Sequence, residues 1–203
     1  MGTKGKMKRR YLQLSAIVLL AVFCQTAFAQ EEFKPTTVFL VRHAEKEDEP
    51  KQDPPLKKEG VARSQELARL LSTANIKAIY TSQFTRTKQT AEPLTAKTGV
   101  SVTALTLKPN PANLRLIAEE STTELVNKIM QRPGESALVI GHSNWIPDVI
   151  KMLGGDVVPT IDEQKFDDLF IVTVYGKGKA KVVQLKYGAP QLTHFPASLR
   201  VNL

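Results

Sequence analysis

Apolar residues in this chain fall into short unbroken runs, separated by stretches where they recur every third or fourth position. Residues 38–41 (Val-Phe-Leu-Val), 78–80 (Ala-Ile-Tyr) and 137–140 (Ala-Leu-Val-Ile) are too short for helices and have the pattern of strands buried on both faces. From Leu56 the spacing turns helical, with Val61, Leu67, Leu70 and Leu71 on one face and Lys57, Lys58, Arg63 and Glu66 outside. A second helix is expected after Ser82, running to about Lys97, bent near Pro93 and closed by Gly99. Residues 100–107 predict a third strand, 108–111 a loop and 113–120 a short helical turn. Ser121-Thr122-Thr123-Glu124 is a capping-box pattern, so a helix carrying Leu125, Val126, Ile129 and Met130 is expected to start there and to stop at Pro133-Gly134. Residues 145–153 predict a helix with Pro147 in its first turn. Two β-rich runs, 169–175 and 180–185, are joined by Gly-Lys-Gly-Lys, a hairpin signal.

Strand and helix alternate until that hairpin. The order predicts an α/β fold: a three-layer α/β/α sandwich with a mainly parallel central sheet and a C-terminal hairpin. Ligands of such sheets sit beyond the carboxyl ends of the strands. Three of the expected strands end there in polar groups: Arg42-His43, Ser82 with Arg86 one turn on, and His142-Ser143.

The N-terminus changes the charge picture. Five basic residues (Lys4, Lys6, Lys8, Arg9, Arg10) precede an apolar run over about 14–23 and an Ala27-Phe28-Ala29 site, the layout of a secretory signal peptide over 1–29 cleaved after Ala29. The run is shorter than the roughly 20 residues a spanning helix needs; retention as an uncleaved anchor is the alternative. Residues 30–203 then form a single domain, in the periplasm or outside the cell, with no stable membrane insertion. The whole chain carries 28 basic and 20 acidic residues, a net charge of +8. Without residues 1–29 it carries 23 and 20, or +3. No clustered basic stripe remains, which argues against a nucleic-acid partner. The only cysteine, Cys24, leaves with the same segment, so the mature chain would hold together without disulfides.

Two arginines and two histidines at one sheet edge define a chemistry. A guanidinium offers a planar fork of donors that matches two phosphate oxygens, so Arg42 and Arg86 would clamp a phosphoryl group without a metal. Backbone N–H groups of a helix starting near Ser143 would add an anion-binding terminus. A neutral imidazole attacks phosphorus, and the second histidine stabilises charge on the transferring oxygens. A metal held by His43 and His142 is possible, but no paired-ligand spacing supports it. His194 has no partners in sequence and is expected to be structural or at the surface. Glu163, Asp167 and Asp168 are expected in a solvated loop.

The motifs LVRHAEK, PLKKEGVARSQELARLL, IYTSQFTRTKQTAEPL and LVIGHSNWIP, in that order, resemble the histidine phosphatase superfamily, in the branch that includes the phosphoglycerate mutases. The resemblance implies that His43 is the nucleophile that becomes phosphohistidine. It makes Arg42 and Arg86 the phosphate clamps and His142 the second pocket histidine, with the Ser143 backbone facing the phosphate and Gly60 structural. No metal and no organic cofactor are implied. Two departures stand out. The family often has a phosphate-contacting asparagine soon after the first motif, where residues 46–50 have none; Lys46 there is expected as a plain surface lysine, with a substitute cation as the alternative. Many members place a glutamate proton donor soon after the third strand, where this chain has Leu107-Lys108-Pro109-Asn110. Glu45, Asp53, Glu119 and Glu120 are the fallback donors. General acid help is worth about 10²–10⁴-fold, so without it good leaving groups such as phosphoramidates and anhydrides would be favoured. The expected function is an exported phosphatase acting on a small phosphorylated substrate or a phosphorylated protein. The alternatives are a mutase-type phosphotransferase and a low-turnover phosphate-binding module on the same fold.

Overall fold

The computed structural model describes residues 34–189, all within one compact unit. The expected signal peptide with its cleavage site, Cys24 and His194 lie outside the described residues. Among these residues the elements run β1 (Thr36–Arg42), α1 (Lys58–Leu71), β2 (Ile76–Ser82), α2 (Thr85–Thr98), β3 (Val102–Leu105), β4 (Pro109–Asn110), β5 (Asn113–Ile117), α3 (Glu119–Met130), β6 (Ser136–Gly141), α4 (Ile146–Met152), β7 (Asp168–Gly176) and β8 (Lys179–Lys186).

Six strands form one sheet in the order β3-β2-β6-β1-β7-β8. β3, β2, β6 and β1 are parallel, and the β7–β8 hairpin adds to β1 antiparallel. Side chains alternate across a strand, and here the alternation splits the apolar runs between two cores. Val38 and Leu40 of β1, Ala137 and Val139 of β6, and Phe170, Val172 and Val174 of β7 enter one core with Leu125, Ile129, Trp145, Ile146, Val149 and Ile150. Val41, Leu138, Ile140 and Leu169 face the other, with Leu67, Leu71, Ala91 and Leu94. The sheet is therefore covered by α3 and α4 on one side and by α1 and α2 on the other, the predicted three layers.

α4 has seven residues, too few to persist alone in water. Burial holds it: Trp145, Ile146, Val149 and Ile150 are fully excluded from solvent, each worth about 1.5–3 kcal/mol. Gly141 permits this packing, since a Cβ there would lie 2.9 Å from the Trp145 ring.

Two expectations between β3 and β6 are corrected. Residues 113–117 form a strand rather than a helical turn, paired with β4 in a separate two-stranded sheet. The Asn110 side chain accepts from the Ala112 N–H at 2.9 Å and turns the chain, and the strand period shows in the alternation Leu114-Arg115-Leu116. α3 then starts at Glu119, ahead of the capping-box serine, with no side-chain cap. Ser121 and Thr122 are buried inside it, where Ser121 accepts from the Lys108 N–H and Thr122 from the Trp145 indole. Glu119 and Glu120 occupy the first turn, where carboxylates suit the helix dipole.

Candidate active site

β1, β6 and β2 lie side by side, with Arg42 opposite Gly141 and Thr81 opposite Ile140. Their carboxyl ends therefore deliver Arg42-His43, His142 and Ser82 to one edge, and α2 brings Arg86 one turn later. A cleft of about 280 Å³ opens there, lined by Arg42, His43, Lys46, Phe84, Arg86, Ile117, His142, Ser143, Asn144 and Glu163. The four residues predicted to carry the chemistry thus share one pocket, and Ser143 joins them. The helix expected near Ser143 starts later, at Ile146. The N–H groups of Trp145 and Ile146 both turn back onto the His142 carbonyl, so they are not aimed at the pocket.

His43 sits at the floor, 3% exposed. Its backbone N–H is tied to the Gly141 carbonyl at 3.0 Å, which continues the β1–β6 ladder to the edge where the cleft opens. Its Nδ1 lies 2.8 Å from the Ala44 carbonyl. A carbonyl only accepts, so Nδ1 carries the proton and the lone pair is on Nε2. Burial pushes the imidazole down to about 2, partly opposed by that hydrogen bond and reinforced by His142, Arg42 and Arg86. His43 is therefore neutral at working pH, the form in which imidazole is nucleophilic.

His142 stands 5.3 Å from the His43 ring, edge on. Its Nε2 is 2.9 Å from Ser82 Oγ, which is 3.0 Å from Thr87 Oγ1. The Thr87 hydroxyl lies within reach of the Phe84 and Ser82 carbonyls; donating there, it accepts from Ser82, and Ser82 accepts from His142 Nε2–H. The chain of hydroxyls leaves Nδ1 as the nitrogen for a substrate oxygen. Burial and the two arginines lower His142 to about 3. A phosphoryl dianion brought between the same groups favours the cation and so creates a donor at Nδ1.

Each arginine is backed by an aromatic face, at 4.4 Å for Arg86 on Phe84 and 4.1 Å for Arg42 on Phe166. Burial lowers Arg42 to about 10, partly offset by Glu163; it stays a cation at neutral pH. Arg42 Nη1 donates to the carbonyls of Asp162 and Lys165, both at 3.2 Å, and of Glu163. The segment between α4 and β7 is thereby fastened over the site. Burial also lowers Arg86, with Asp53 opposing.

The motif after Ser82 works as a brace. Thr90 accepts from the Ala44 N–H at 3.0 Å and donates to the Arg86 carbonyl, so the two arginine-bearing segments are joined through one hydroxyl. Gln89 accepts from the Leu56 N–H at 2.7 Å. Gly60 lets α1 approach the chain just past His43, since a Cβ would fall 2.1 Å from the Glu45 carbonyl.

The fallback proton donors are elsewhere or engaged. Glu45 is buried and paired with Arg63, whose Nη1 also holds the Tyr187 carbonyl. Asp53 caps α2 through the Thr85 N–H and hydroxyl and sits 3.7 Å from Arg86. Glu119 lines a neighbouring cleft of about 450 Å³, and Glu120 lines a third. Of the residues expected in a solvated loop, Asp168 is instead buried at the start of β7, 2.7 Å from Lys186. Asp167 also pairs with Lys186, and Glu163 lines the cleft that holds His43. Lys46, expected as a substitute cation or a plain surface lysine, lines it too. No group of three or more His, Cys, Asp or Glu side chains among the described residues is placed to hold a metal. Sequence reading missed Phe84, Phe166, Asn144 and Glu163: Phe84 and Asn144 stand in quoted motifs without an assigned role, and Phe166 and Glu163 lie outside them.

Comparison with known proteins fits this geometry. Residues 38–107 match the family model of the histidine phosphatase superfamily (branch 1); His142 lies beyond that stretch. No curated protein matches the chain. Among solved structures, the protein histidine phosphatase SixA complexed with tungstate is 20% identical, with a TM-score of 0.59 over 74% of this chain and 96% of that one. A phosphoglycerate mutase from Bacillus anthracis is 15% identical, with a TM-score of 0.59 over 76% and 94%. A mycobacterial hydrolase is 13% identical, with a TM-score of 0.60 over 79% and 94%. At such identities the structural likeness is one of fold, and the match to the histidine phosphatase superfamily model spans residues 38–107, about a third of the chain, which hold Arg42, His43 and Arg86.

Proposed function

We propose that this chain is an exported, metal-independent phosphatase that hydrolyses phosphate esters, phosphoramidates or anhydrides through a phosphohistidine on His43. The observation that carries the reading is the His43 ring. It is buried and neutral, its Nδ1–H is engaged by Ala44, and its free Nε2 stands in a pocket with Arg42, Arg86 and His142. The Nε2 lone pair attacks phosphorus, the bond to the leaving group breaks, and the guanidiniums and His142 stabilise the equatorial oxygens. Water then attacks the phosphohistidine, the P–N bond breaks, and the electron pair returns to Nε2. The basic, apolar and Ala-Phe-Ala stretches of residues 1–29 support export to the periplasm or beyond. A cleft of about 280 Å³ lined by two arginines suits the phosphate of a small molecule or of a phosphorylated protein side chain.

Incubation of the mature protein with p-nitrophenyl phosphate and acetyl phosphate tests the proposal. Phosphate release is expected from both, unchanged by EDTA and lost in His43→Ala. Full activity in His43→Ala, or complete loss in EDTA, contradicts it.

A further inference from the structure

The proposed reaction needs a proton for any leaving group more basic than a phenol, and the usual source after β3 is missing. In-line transfer places the leaving atom opposite the nucleophile. His43 is at the floor of the cleft, so the leaving group points to the mouth, and a proton donor has to stand at the rim. Among the described residues Glu163 is the only acidic residue lining this cleft, and it is exposed. Its backbone is fixed there by Arg42, which binds the carbonyls of residues 162, 163 and 165, while Phe166 packs on both Arg42 and the His43 ring at 5.8 Å. The phosphate clamp and the segment carrying Glu163 are thus one mechanical unit.

We propose that Glu163 is the proton-transfer residue of this site, supplied from the segment between α4 and β7 rather than from the chain after β3. In the first step His43 Nε2 forms a bond to phosphorus as the P–O bond breaks, and the departing oxygen takes its proton from the Glu163 carboxyl. In the second, the Glu163 carboxylate removes a proton from water as that oxygen attacks phosphorus and the P–N bond returns its electrons to His43. Glu163 ends protonated, ready for the next turnover. With this acid in place, alkyl phosphate esters join the substrates, a wider range than good leaving groups alone.

This inference rests on the phosphohistidine reading, and the test separates the two. Values of kcat/KM, which report only the steps through phosphoryl transfer to His43, are measured for glycerol phosphate and p-nitrophenyl phosphate with wild type, Glu163→Gln, Glu163→Ala and Lys46→Met. Glu163→Gln is expected to lower the alkyl ester by about 10²–10³-fold and the aryl ester by tenfold or less. Added formate is expected to restore part of the alkyl activity of Glu163→Ala. Equal losses on both esters, no loss, or a leaving-group effect that follows Lys46 instead overturns the proposal while phosphohistidine chemistry stands. No turnover by wild type on either ester overturns both.

Discussion

At the scale of single residues, the two buried neutral imidazoles on which the proposed chemistry rests carry a cost. Their folded values of about 2 for His43 and 3 for His142 lie below the ordinary 6.5. Below pH 6.5 the unfolded chain therefore binds protons that the folded chain does not. The stability that neutrality allows is present above pH 6.5 and is lost as pH falls toward the folded values, at up to about 1.4 kcal/mol per unit for each histidine. His43→Asn removes one of these groups. Urea unfolding from about pH 6.5 to about pH 5 is expected to show a shallower acid-side decline in the variant than in wild type, by about 1 kcal/mol per pH unit. Identical slopes contradict the buried, neutral state. Arg42, His43, Arg86 and His142 were legible because each follows an apolar run or a strand-to-helix step that fixes where it lands. Glu163 was not, because one carboxylate in a polar loop looks like solvated charge until Arg42 is seen holding its backbone. Phe84 and Phe166 read as ordinary apolar residues; their work is to back the guanidiniums.

Among elements, the departure of the chain from β1 decides how His43 is held. Glu45 and Arg63 form a buried bidentate pair, with distances of 2.9–3.0 Å, joining that departure to α1, and Arg63 reaches on to the carbonyls of Tyr187 and Ala189 after β8. Arg63→Ala leaves the Glu45 charge buried without this partner and is expected to cost about 3–5 kcal/mol in urea unfolding. Glu45→Gln combined with Arg63→Met is expected to recover most of it, because the desolvation penalty goes with the charges. A loss below about 1 kcal/mol in Arg63→Ala means that the pair is not structural. From sequence, Arg63 belonged to the outer face of α1; its partner lies 18 residues back, beyond any helical periodicity. The parallel strands were plain because burial on both faces leaves unbroken apolar runs. The β4–β5 hairpin was obscured because it packs little apolar surface, with Leu114 75% exposed, and so lacks a burial pattern.

At the scale of the whole molecule, the sheet order explains why residues 42, 86 and 142 meet. β6 enters between β1 and β2, so the last parallel strand to be made completes an edge begun by the first. That order was not written in any local pattern; the alternation of strands and helices predicted the layers, and only the register assigns neighbours. The proposed chemistry turns on one bond, between phosphorus and His43 Nε2. The most direct measurement is acid-free rapid quench of the mature protein with acetyl phosphate, followed by peptide mass spectrometry under alkaline conditions that preserve phosphohistidine. A phosphoryl group on the peptide containing His43, absent from His43→Ala and lost on incubation in water at a rate no slower than turnover, is the expected result. Turnover with no phosphorylated His43 at any quench time, or a phosphoryl group on another residue that His43→Ala leaves in place, would contradict it.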